Sequence, residues 1–128
     1  MLFARFLAEN IVGVLSQPVV ILDGTMTAIQ ANRPFYDTYA LREDEVKNQP
    51  FFSISNGFWD IPALRIALEK VLPNDTRIEN LVIEQNFPGI GRRIVRVSAR
   101  MIFSDVPSEG LVFVVMEDIT GKAGAEKK

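Results

Sequence analysis

The sequence predicts an α+β domain: a five-stranded antiparallel sheet with short helices on one face, preceded by an amphipathic helix. Three observations carry this reading. Residues 77–116 hold three long stretches whose apolar side chains alternate with period two or run unbroken, as strands do. Two shorter runs, Val19–Leu22 and Thr27–Ala31, lie on either side of an Asp23-Gly24 turn. Between these groups the spacing becomes helical and is punctuated by proline and glycine. Strands gathered before and after a helical insert favour antiparallel pairing with the helices segregated to one face.

The elements follow in order. Phe3, Leu7, Ile11 and Val14 recur at helical spacing, with Phe6 and Leu15 on the flank, and predict an amphipathic helix over Phe3–Leu15. So short a helix is marginal alone in water, so its stripe must dock on this domain or pair with a second copy of itself. Ser16-Gln17-Pro18 ends it. Val19–Leu22 reads as a short buried strand, and Thr27–Ala31 as a second one. Asn32 is suited to cap the helix that carries Phe35, Tyr36 and Tyr39, with Pro34 tolerated in its first turn. Leu41–Phe58 is irregular, with one helical turn at Glu43-Asp44-Glu45. Asp60 is expected to cap a further helix whose face is Ile61, Leu64, Leu68, Val71 and Leu72, ended by Pro73-Asn74-Asp75.

Three longer strands close the chain. In Arg77–Phe87, residues Leu81, Ile83, Gln85 and Phe87 share one phase, while Glu79 and Glu84, at odd spacing, fall on opposite faces. Pro88–Gly91 is a turn; without a helix start behind it, it lacks the geometry of a phosphate site despite Arg92 and Arg93. In Arg92–Phe103, Val95, Val97, Ala99 and Met101 face one side and Arg96, Ser98 and Arg100 the other. Leu111–Met116 is continuously apolar, as a central strand would be. The organisation is a leading helix over 1–15, the domain over 16–120, and a tail or linker over 121–128.

Composition narrows the chemistry. With 128 residues and 48% hydrophobic side chains, the chain is large enough for a real core. A net charge of −2 with dispersed Lys and Arg gives no basis for nucleic-acid binding. There is no run of the ~18 apolar residues expected of a membrane helix, and zero cysteine fits a cytoplasmic setting. The absence of both cysteine and histidine removes the thiolate nucleophile, the usual proton shuttle and the commonest metal ligands. No metal site or catalytic cluster is expected.

The strand and helix order resembles a PAS domain, a small sensor module of signalling proteins. Two motifs sharpen the likeness. Asn56-Gly57-Phe58-Trp59-Asp60-Ile61-Pro62-Ala63-Leu64-Arg65, with Val71-Leu72-Pro73 and Phe87–Arg93, is similar to a PAS subgroup of sensor histidine kinases and chemotaxis methylesterase–methyltransferase fusions. Glu117-Asp118-Ile119-Thr120 is similar to the junction where PAS domains hand over to an output domain.

The resemblance implies a sensor or regulatory domain of a two-component system, without catalysis of its own. It also implies a homodimer, an output domain as partner, and a pocket for a small molecule between the inner sheet face and the helices. On this chain that pocket corresponds to Phe35, Tyr39, Phe52, Trp59, Leu64, Leu68, Ile83, Gln85, Val95 and Val97. The same side chains are equally suited to fill a core, each worth about 1.5–3 kcal/mol when fully buried. Histidine-ligated haem and cysteinyl-flavin photochemistry are excluded by composition, whereas a non-covalent flavin or small metabolite stays open. Asp118, Ile119 and Thr120 correspond to the signal-transfer junction, and Phe3, Leu7, Ile11 and Val14 to a dimer helix. A module that only dimerises is the alternative.

Overall fold

The computed structural model describes residues 16–74, 76–102 and 110–121. The expected Phe3–Leu15 helix, with Phe3, Leu7, Ile11 and Val14, lies outside the described residues. The chain runs through β1 (Val19–Leu22), β2 (Thr27–Ala31), α1 (Arg33–Tyr39), α2 (Glu43–Val46), β3 (Gln49–Pro50) and a 3-10 segment (Phe51–Gly57). It continues through α3 (Pro62–Glu69), α4 (Val71–Asn74), β4 (Ile78–Phe87), β5 (Gly91–Ile102) and β6 (Leu111–Asp118). The strands form one sheet in the order β3-β2-β1-β6-β5-β4, and every pairing is antiparallel.

The sheet therefore has six strands where the sequence predicts five. The extra one, β3, pairs two residues, Gln49 and Pro50, with Ala28 and Thr27. Both are exposed, so no alternation marks them. Proline is tolerated there because an edge strand needs no donor on its open side.

Alternation places the core. On β5, Val95, Val97 and Ala99 are buried against the helices, and on β6 so are Val112, Val114 and Met116. Val20, Leu22 and Ala28 extend this face, which packs on Phe35, Leu64, Leu68 and Val71. The opposite sheet face carries a second apolar cluster of Val19, Ile21, Ile29 and Leu111, with Phe113 and Val115 partly buried beside it. That division explains why β6 is apolar throughout.

Three local expectations are corrected. In β4, Ile78 pairs with Ala99 but Leu81 with Val97, so one residue is extra. Asn80, at φ 59°, absorbs it as a bulge. The phase shifts there, and Glu79 and Glu84 project to the same side instead of opposite ones. The helix expected to run from Asp60 to Leu72 is two pieces, α3 and α4, divided at Lys70. Asp60 does not cap it: Ile61 precedes the first turn without a side-chain bond, and the Asp60 carboxylate instead accepts from Arg65 Nη1 at 3.0 Å. Proline at the first helical position leaves one fewer N–H for a cap to satisfy.

Candidate functional site

The site that sequence reasoning placed between sheet and helices is filled by interlocking rings. Trp59 is fully buried, with its ring centroid 4.9 Å from Tyr39, 4.9 Å from Phe87, 5.6 Å from Phe51 and 6.1 Å from Phe35. Such tilted and edge-on contacts add about 0.5–1.5 kcal/mol per pair beyond area burial. The backbone turns sharply to deliver Trp59. Ser55, Asn56 and Gly57 all take left-handed conformations, at φ 58°, 58° and 82°, and only glycine adopts these readily. Asp60 N then donates to Gly57 O at 3.0 Å, and Ile61 N to Trp59 O at 2.8 Å. Gln85 Nε2 ties the same turn to β4 by donating to Phe58 O at 3.0 Å.

Among the described residues, the Tyr39 hydroxyl and Trp59 Nε1 are buried without a hydrogen-bond partner. Burial pushes the Tyr39 hydroxyl well above its ordinary pKa; nearby Asp118 pushes it the same way and Arg93 opposes. Tyr39 thus belongs to the ring cluster and lies within electrostatic range of Asp118 and Arg93.

The place where the chain leaves the sheet is tied down by several contacts. Asp118 Oδ2 lies 3.3 Å from Arg93 Nε, both side chains being 32% exposed. Its Oδ1 accepts from Thr120 N at 2.9 Å and from the Thr120 hydroxyl. Thr120 Oγ1 in turn accepts from Ile94 N at 2.9 Å, and Ile119 N donates to Ile94 O at 2.8 Å. Ile119 and Ile94, 4% and 3% exposed, pack on each other. The last strand is therefore latched to the start of β5 by an ion pair, two hydrogen bonds and an apolar contact.

The fold itself has solved counterparts. A LOV protein of Rhodobacter sphaeroides superposes with a TM-score of 0.75 at 10% identity, over 99% of this chain and 76% of that one. The PAS domain of Bordetella pertussis BvgS gives 0.69 at 15% identity, over 96% and 91%. The PAS domain of an HTR-like protein from Haloarcula marismortui gives 0.61 at 16%, over 91% and 93%. The chain has the PAS fold. No family model and no curated protein sequence matches it.

On this PAS fold the pocket candidates separate. Phe35, Trp59, Leu64, Leu68, Val95 and Val97 are fully buried or nearly so. Tyr39 and Ile83 belong to the same cluster. Phe52, 8% exposed, lies toward the surface, with the Arg65 guanidinium 4.9 Å from its ring centre. Gln85 is half-buried and bonded to backbone, which accounts for an amide at an inward phase.

What sequence reasoning missed is a surface cleft of about 410 Å³ where α1, the 3-10 segment and the β4–β5 turn meet. Nothing in periodicity marks it, because it is built from loop residues such as Leu41, Ser53, Asn56 and Ile90. Arg93 was also missed as the partner of Asp118; it reads as a solvated turn residue. No group of three or more Asp, Glu, His or Cys stands close enough to hold a metal among the described residues, and none of their helices is long and apolar enough to cross a membrane.

Proposed function

We propose that the chain is a sensory and regulatory PAS module of a signalling protein, of the kind carried by two-component sensor histidine kinases, acting in the cytoplasm as a homodimer. It contributes no catalysis of its own and passes a change of state to an output domain. The latched exit supports this reading best. A strand that merely ends in a turn needs no carboxylate held by both a cation and a following hydroxyl, as Asp118 is by Arg93 and Thr120. Such an arrangement fixes the direction in which the chain continues. The Asn56–Arg65 block supports the kinase context, through its likeness to that subgroup.

Excision tests this. Removing residues 16–120 from the protein that carries them should abolish response to its stimulus while the output activity still turns over at one fixed level. Loss of all activity, recovered in the isolated chain, would identify an enzyme instead.

A second reading, a module that only dimerises, rests on Phe113 and Val115, which stay partly exposed on the sheet face away from the helices, although Val19, Ile21, Ile29 and Leu111 beside them are buried within one chain. In that case Leu7→Asp with Ile11→Asp converts a dimer to a folded monomer in light scattering.

A further inference from the structure

The cleft beside Tyr39 opens on the surface side of the ring-filled interior and shares Tyr39 and Phe87 with it. Its volume of about 410 Å³ falls in the lower part of the roughly 300–1,000 Å³ span of small-molecule sites. Its walls divide by chemistry. Leu41, Ile54 and Ile90 supply apolar surface, while Ser53, Asn56 and Glu45 supply polar groups. Glu45 is the sole charged residue among those that line it; no lysine or arginine does. The carboxylate is held in place, since Glu45 Oε1 accepts from Arg42 N at 2.8 Å. Glu43 and Asp44 stand on the same turn, and among the described residues one guanidinium, Arg42, serves all three carboxylates, paired to Asp44 at 3.1 Å and attracted by Glu45. The local field is therefore negative, which attracts cations and repels anions. Tyr39 forms part of the same wall while its ring rests on Trp59 and Phe87.

We propose that this cleft binds a small organic monocation, an ammonium group carried on an apolar body. The ammonium group faces Glu45 and the apolar body lies on Leu41, Ile54 and Ile90.

Three probes of one size and three charges test it: benzylammonium, benzyl alcohol and benzoate, titrated into the 15N-labelled chain. Benzylammonium should shift the amide signals of Ser53, Asn56 and Ile90 in a saturable way, with benzyl alcohol weaker and benzoate without effect. Glu45→Gln, at an exposed position where the fold is not at stake, should weaken benzylammonium by about two- to fivefold, as an exposed ion pair does, and leave benzyl alcohol unchanged. Benzoate binding as well as benzylammonium, no saturable shift with benzylammonium, or indifference to Glu45→Gln each overturns the site. Failure of these titrations, together with an output that still responds to substitution at Asp118, removes the cleft and spares the regulatory reading.

Discussion

Asn32 carries more structure than its single amide suggests. It is 3% exposed, yet its Oδ1 accepts from Val19 N at 2.9 Å and Phe35 N at 3.2 Å. Its Nδ2 donates to Gln17 O at 2.7 Å. One side chain thus joins the start of β1, the end of β2 and the first turn of α1. Asn32→Ala removes the helix cap and leaves the buried Val19 N–H unsatisfied, so urea unfolding should register a loss of about 2–4 kcal/mol. The cap was legible in the sequence; the bond to Val19 was not, because it spans two strands. Tyr39 presents the opposite case, a buried hydroxyl without a partner among the described residues. Tyr39→Phe should therefore leave stability at pH 7 unchanged or raise it by up to about 1 kcal/mol. Because the folded state holds the Tyr39 proton more tightly than the unfolded chain, wild-type stability is complete below about pH 10 and declines as pH rises beyond it. Melting temperatures taken from pH 9 upward should fall more steeply for wild type than for Tyr39→Phe. The slope that Tyr36 contributes, raised by burial and by Glu43, remains in both.

Among the elements, legibility followed length. β5 has enough residues for alternation to declare its faces, and Val95, Val97 and Ala99 are buried as that pattern requires. α3 was readable from Leu64 and Leu68 for the same reason. Its packing gives an internal contrast: Leu68 is fully buried, whereas Ile66, two positions earlier, is 55% exposed. Leu68→Ala should cost about 2–5 kcal/mol and Ile66→Ala within about 0.5 kcal/mol, measured as unfolding midpoints at equal m-value. The features that escaped were those where one residue decides. A single left-handed Asn80 reverses the phase of β4, and Asp60 exchanges a cap for Arg65. Side-chain type alone does not reveal either, because both depend on neighbours brought together by the fold.

At the scale of the molecule, the order of strands and helices predicts an antiparallel α+β sheet and, with the Asn56–Arg65 and Glu117–Thr120 motifs, resembles a PAS domain; the six-stranded antiparallel sheet agrees apart from its two-residue edge strand. The candidate site was less legible. Inward-facing residues on strands and helices can be recognised from periodicity, but whether they enclose a space or fill it depends on how four rings meet around Trp59. The surface cleft, made of turn residues, leaves no periodic trace at all. The exit latch was half visible: Asp118, Ile119 and Thr120 could be picked out, while Arg93 and Ile94 could not, being distant in sequence and joined only by the β5–β6 pairing. In the regulatory reading proposed above, this latch relays the state of the domain. The most direct measurement is the output of the carrying protein with Asp118→Asn or Thr120→Val, beside the melting temperature of the isolated chain bearing the same change. The expected result is an output locked at an altered level, with the chain still folded and its melting temperature lowered by only a few degrees. An output and a stimulus response identical to wild type in both variants would contradict it.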